Sequence, residues 1–183
     1  MNLKLPSFHF DQNLREVPDN HQEWLTLIEA SILKIQTAES DEEKLILFET
    51  LALAFRITNQ LTEAERYQVE ALALSNTPIK KIQNLTRLAI IYQWQKKFAE
   101  AKELYSQVLI LITNNDTSKI LVAAYHQHLG KLYFDQEQYN SSIKEFEIAL
   151  KIRIEINAPL DQVESSRLAL NEAQSRNSGE INE

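Results

Sequence analysis

The chain has 183 residues and a formal net charge of −7; 44% of its residues are hydrophobic and 25% charged, the balance of a folded protein and not of a disordered one. It contains two glycines, Gly130 and Gly179, and no cysteine. Tight hairpin turns, dinucleotide fingerprints and P-loops need glycine at left-handed or phosphate-facing positions, so hairpin-rich folds and those nucleotide sites are expected to be nearly excluded. Disulfides, thiolate metal sites and cysteine nucleophiles are excluded outright. The acidic balance disfavours phosphate backbones, so nucleic acid is not an expected partner. No apolar run approaches the roughly 20 residues a membrane helix needs. The first ten residues lack the apolar core of a signal peptide, and a cytoplasmic setting is expected. Charge is uneven: residues 1–50 carry 4 basic and 10 acidic side chains, and 51–100 carry 7 and 4. Either a solvated face or attraction for an acidic segment accounts for that contrast.

In chain order, residues 1–19 form an N-terminal arm in which Leu3, Leu5, Phe8 and Phe10 alternate with polar residues. The arm either packs along the first helices or stays mobile. Residues 20–40 hold an amphipathic helix, an N-terminal cap or a decayed half-repeat, with Trp24, Leu27, Ile28, Ile32 and Ile35 on one side. Three segments then repeat. They begin at Leu47, Asn84 and Tyr125, and belong to units 41–77, 78–116 and 117–158. Each has a leucine and a small residue trailed by an aromatic: Leu51-Ala52 with Phe55, Leu88-Ala89 with Tyr92, Leu129-Gly130 with Tyr133. Ala64, Ala101 and Ser142 follow twelve residues after the small one, then Gln68, Tyr105 and Phe146, then Ala71, Val108 and Ala149. This spacing predicts two antiparallel helices per unit, with the small residues allowing close approach. Polar turns are predicted at 58–60, 95–97 and 135–138. Ser40 with Glu43 and Thr62 with Glu65 fit capping boxes, and Pro78 and Pro159 suit first helical turns. A C-terminal capping helix spans 159–175, with Leu170 a further 41 residues after Leu129. Residues 176–183 read as a flexible polar tail.

No chemistry-bearing constellation emerges. His126 and His128 are two apart on a helix, about 200° around its axis, and cannot share a metal; His9 and His21 stand alone. Carboxylates gather at helix starts, where they offset the macrodipole. The Asn84, Asn115 and Asn140 sequons read as chance matches. No catalytic residue, metal or cofactor is expected.

The repeated Leu–small–x–x–aromatic and small–x–x–x–aromatic–x–x–Ala–Leu pattern resembles the tetratricopeptide repeat family, over residues 41–157. The resemblance implies an all-α fold, a right-handed superhelical stack of antiparallel helix pairs, about eight helices in all. Departures are visible. Phe48, Leu85 and His126 replace the early tryptophan, and the closing proline of the second helix is missing. Gln68 replaces an aromatic, implying looser packing in the first repeat. The anchors Leu51, Leu88 and Leu129 are 37 and 41 residues apart, against about 34 in the family, which implies its longer-helix variety.

The resemblance further implies a non-enzymatic binding module whose first helices line a concave groove for a partner's peptide or helix. Its lining would be Ile46, Glu49, Leu53 and Arg56; then Gln83, Thr86, Ile90, Gln93 and Trp94; then Ala124, Gln127, Lys131 and Phe134. Arg87 and His128 add donors. The expected contact residues are therefore Leu53, Arg56, Arg87, Ile90, Gln93, Trp94, Gln127, Lys131 and Phe134. Trp94 either anchors the partner or is buried against the next repeat. Some family members clamp the C-terminal carboxylate of heat-shock chaperones. The matching positions, Glu49, Leu53, Thr86 or Arg87, Ala124 and His128, keep none of the clamp's roles. Alternatives are self-association through the terminal helices, burying Leu168 and Leu170, a small secretion-type chaperone, and a peptide-sensing regulator. A further expectation is that Phe8 and Phe10 fill the groove and inhibit it.

Overall fold

The computed structural model describes residues 4–115 and 117–180. The arm forms a small antiparallel hairpin, β1 (Phe8–Phe10) and β2 (Glu16–Pro18), with Phe8 opposite Pro18 and Phe10 opposite Glu16. The scarcity of glycine does not prevent it, because its five-residue loop needs none. The Asp11 carboxylate accepts from the amides of Asn13 (2.8 Å) and Arg15 (2.9 Å), an Asx turn that organises the loop. Leu14 takes the left-handed position at φ 58° and is buried. At the open end, His9 Nδ1 lies 2.7 Å from Asp19 Oδ1. This contact, and one with Ser7, hold the Asp19 carboxyl below its usual range.

Eight helices follow among the described residues: α1 (His21–Ile35), α2 (Asp41–Ile57), α3 (Leu61–Ala73), α4 (Pro78–Trp94), α5 (Phe98–Asn114), α6 (Lys119–Asp135), α7 (Tyr139–Glu155) and α8 (Leu160–Glu180). The hydroxyl oxygen of Ser40 accepts from the amide of Glu43 at 3.1 Å, and Thr77 caps α4 ahead of Pro78. Thr62 caps nothing, since α3 starts one residue earlier at Leu61 without a side-chain cap. Its expected partner Glu65 instead accepts from Gln95 at 2.8 Å. The expected polar turns are present at 58–60, 95–97 and 136–138. Asn59, Lys96 and Glu137 occupy equivalent left-handed positions in them, at φ 61°, 60° and 61°. After α2 and α6 the turn closes as a Schellman motif: Gln60 N–H bonds Phe55 O at 2.7 Å and Gln138 N–H bonds Tyr133 O at 2.9 Å. Glycine is the usual residue at such a helix ending, so these positions carry no visible signature in the sequence.

The chain divides into two compact units, Met1–Gln95 and Lys96–Glu183, the boundary falling in the turn of the expected second repeat. In the first, the antiparallel pair α2 and α3 packs between α1 and α4. Its core joins Trp24, Ile28, Leu51, Ala52, Phe55, Ala64, Tyr67 and Ile91, with the Phe55 and Tyr67 rings stacked at 5.5 Å. Ala52 and Ala64 are both fully buried, as close helix approach requires. In the second unit, α6 and α7 form the tightest pair, and α8 packs on α7. Ser142 Oγ donates to Gly130 O at 2.9 Å, so the two small residues meet as the spacing predicts. The buried stripe of α8 is Val163, Ser166, Ala169 and Ala173. This helix continues to Glu180, past the end expected at residue 175. Its last turns are held by Arg176 with Glu172 (2.9 Å) and by Ser178 Oγ on Gln174 O (2.9 Å). Of the expected flexible tail, 176–180 is therefore helical, and 181–183 lies outside the described residues.

Candidate binding face

In the first unit, α2 supplies Leu53 and Arg56, and α4 supplies Arg87, Ile90, Gln93 and Trp94. Arg56 and Trp94 are the last polar and aromatic side chains before their helices end, and they meet. The Arg56 guanidinium lies 4.8 Å from the centre of the Trp94 ring. Both are buried, as are Ile90 and Gln93; Leu53 is half-buried. What covers Arg56 is the hairpin. Arg56 Nη1 donates to Glu16 Oε2 at 2.7 Å, and Nη2 reaches Glu16 Oε1 at 3.4 Å. The two side chains are only 8% and 13% exposed, so the pair is largely desolvated and losing either partner is costly to the other. Arg15 lies over Trp94 as well, its guanidinium carbon 5.3 Å from the ring centre. The arm thus reaches this face, but through Arg15 and Glu16. Phe8 and Phe10, the residues expected to fill it, pack edge-on against each other at 5.8 Å, and Phe8 stays 40% exposed. Sequence reasoning missed Arg15 and Glu16 because nothing local marks a residue that must travel forty positions to its partner.

One guanidinium nitrogen of Arg87 is engaged within the unit, and its side chain is 43% exposed. Its Nη1 lies 2.9 Å from Glu49 Oε1 and 3.2 Å from Asn84 Oδ1. Asn84, fully buried, also donates to Glu49 Oε1 (2.9 Å) and Ser75 Oγ (2.9 Å), and accepts from Gln68 Nε2 (2.9 Å). Gln68, at a position where the family resemblance implied an aromatic, is therefore engaged and 1% exposed, so the first repeat is not loosened there. Asn84→Ala takes the side-chain acceptor from the buried Gln68 amide and a donor from Ser75, while Glu49 keeps Arg87. The expected loss is about 2–3 kcal/mol, read as a lower urea midpoint at unchanged slope.

In the second unit, Gln127 and Phe134 serve packing and are not open to a groove. Gln127 Oε1 accepts from Ser166 Oγ of α8 at 2.6 Å and from Arg153 Nη1 of α7 at 3.4 Å. Arg153 also donates to Gln162 O (2.6 Å) and Ser166 Oγ (2.7 Å), and burial lowers its pKa from the usual value. Phe134 is buried beside Tyr139 (5.6 Å) and beneath Arg176 of α8 (5.8 Å). Both residues face the next helix because α8 continues the stack where the groove would otherwise begin. Lys131 is half-buried. His126 Nδ1 lies 2.7 Å from Glu145 Oε2 of α7. Burial and that carboxylate push the neighbouring Tyr125 phenol up to about 12. Among the described residues no three His, Asp or Glu side chains converge as metal ligands would, and no helix is long and apolar enough to cross a membrane.

The tetratricopeptide repeat family model matches residues 81–156, from within α4 to the end of α7. Residues 81–156 are tetratricopeptide repeats. The repeat contacts Leu129–Gly130 and Ser142–Phe146, read from spacing alone, fall inside this region. No curated protein matches the sequence. Among solved structures, BtubC (BKLC) from P. vanneervenii is 18% identical, with 87% of this chain and 67% of that one covered at a TM-score of 0.62. At that identity the likeness is one of fold, and it extends the all-α helix-pair architecture well beyond the matched repeats. Tetratricopeptide repeats generally mediate protein–protein interaction.

Proposed function

We propose that the chain is a cytoplasmic, non-enzymatic protein–protein interaction module that holds a peptide or helix of a partner on the faces of its first-of-pair helices. The observation that supports this most is the seat of the hairpin. Arg56 and Trp94 already hold an extended segment, by a two-armed ion pair and an aromatic face, the chemistry by which peptide-binding surfaces work. The test is affinity capture from the native lysate with wild type, Leu53→Asp and Lys131→Glu, after circular dichroism shows all three folded. Loss of one abundant partner in either variant supports the reading. An unchanged partner list counts against these faces.

A second reading, self-association through α8, is favoured by one observation. Leu168 of α8 is 50% exposed, and Leu170 of the same helix lines a groove with Leu150 and Ile154, edged by Glu147, Lys151 and Glu155. Sedimentation of wild type and Leu168→Glu decides it: a mass that rises with concentration only in wild type supports self-association.

A further inference from the structure

We propose that Arg56 and Trp94 form a subsite for a partner segment presenting a basic residue followed by an acidic one, and that Arg15–Glu16 of the hairpin fills that subsite until such a segment displaces it. The inference rests on the binding-module reading and specifies its ligand.

Three observations carry it. First, the occupant is an add-on. A two-stranded hairpin is marginal by itself, and this one has three residues per strand. Beyond its own ladder it is tied down by Glu16 on Arg56, Arg15 on Trp94, the burial of Leu14, and Trp24 Nε1 donating to Ser7 O at 3.2 Å. Leu14 sits at φ 58°, a conformation a leucine rarely adopts, so the loop is held by what it packs against. Second, the subsite selects for charge. A guanidinium stays protonated, and Arg56 is 7% exposed, so its carboxylate cannot leave unless another replaces it. A neutral segment would strand a buried cation. Third, the Trp94 ring takes guanidinium groups on it, from Arg15 and from Arg56, which favours a basic residue beside the incoming acid. Residues 51–100 carry an excess of basic side chains, 7 against 4, which favours the acidic residue of such a segment.

The test uses the full chain and a fluorescein-labelled peptide of residues 7–19, which carries the same Arg-Glu pair. In the full-length Glu16→Lys variant, like charge repels the internal hairpin from Arg56. Hydrogen exchange at the Asp11 and Asp19 amides should accelerate at least tenfold, with amides of α2 and α4 unchanged. Peptide affinity should rise at least tenfold over wild type. Arg56→Gln in that background, or a peptide with Gln in place of its Glu, should remove the gain. If Glu16→Lys does not fold, the Arg15→Ala/Glu16→Gln variant vacates the subsite without introducing repulsion. Three outcomes overturn the proposal: unaccelerated exchange, accelerated exchange without a gain in affinity, or a mass that doubles in Glu16→Lys, which would mean a second copy is the occupant. Because the probe is the chain's own segment, its failure condemns the subsite, while the lysate capture judges the module reading separately.

Discussion

Phe146→Ala is expected to lower stability by about 3–5 kcal/mol, the cost of emptying a fully packed aromatic site. The ring of Phe146 is 0% exposed and lies across Gly130 of the paired helix. A Cβ at residue 130 would stand 2.6 Å from Cε1 and 2.7 Å from Cδ1 of that ring, well inside contact distance. Gly130→Ala alone therefore overpacks the α6–α7 contact, at about 1–3 kcal/mol, against about 1 kcal/mol returned by better helix propensity. In the Phe146→Ala background the clash disappears, and Gly130→Ala should become stabilising. Urea denaturation of the two single variants and the double variant tests this as a cycle. Simple additivity would show that the glycine is not there for the ring.

Trp24→Ala should have a comparable effect in the first unit, about 3–5 kcal/mol. Trp24 is 0% exposed and packs with Leu27, Ile28 and Leu51, joining α1 to the α2–α3 pair. Its Nε1 also holds the hairpin through Ser7 O. The substitution therefore has two readouts: a lower urea midpoint, and faster hydrogen exchange at Asp19, whose amide bonds the same carbonyl at 3.2 Å. Trp24→Phe separates them. It keeps most of the apolar volume and loses the N–H, so it should cost about 1–2 kcal/mol while still loosening the hairpin. If Trp24→Phe leaves Asp19 exchange unchanged, the indole bond does not anchor the arm.

Much of the fold was legible because it is written in short-range pattern. Apolar residues three and four apart, a small residue every turn-and-return, Ser40 and Pro78 at helix starts, and short polar stretches between helices all act within a few residues of where they stand. From them follow the helix pairs, the turns and the meeting of Gly130 with Ser142. Other features have no local mark. Asn59, Lys96 and Glu137 end helices in a conformation that sequence reasoning assigns to glycine. Thr62 looks like a cap and is not one, because the preceding turn lets α3 start earlier.

The candidate face shows the division most clearly. By sequence alone, the chain is all-α, repetitive, without the residues for thiolate or phosphate-loop chemistry, and equipped with Arg56 and Trp94 near the ends of first-of-pair helices. Only the tertiary structure decided that Gln127 and Phe134 are consumed by packing against α8, that Arg87 belongs to the Glu49–Asn84 network, and that Glu16 neutralises Arg56. Those outcomes depend on pairs 26 to 42 residues apart, such as Arg153 with Gln127, Arg56 with Glu16 and Phe134 with Arg176. Helical periodicity tells which side of a helix is apolar; which charge meets which across the fold is settled by the desolvation of the pair once the helices have packed.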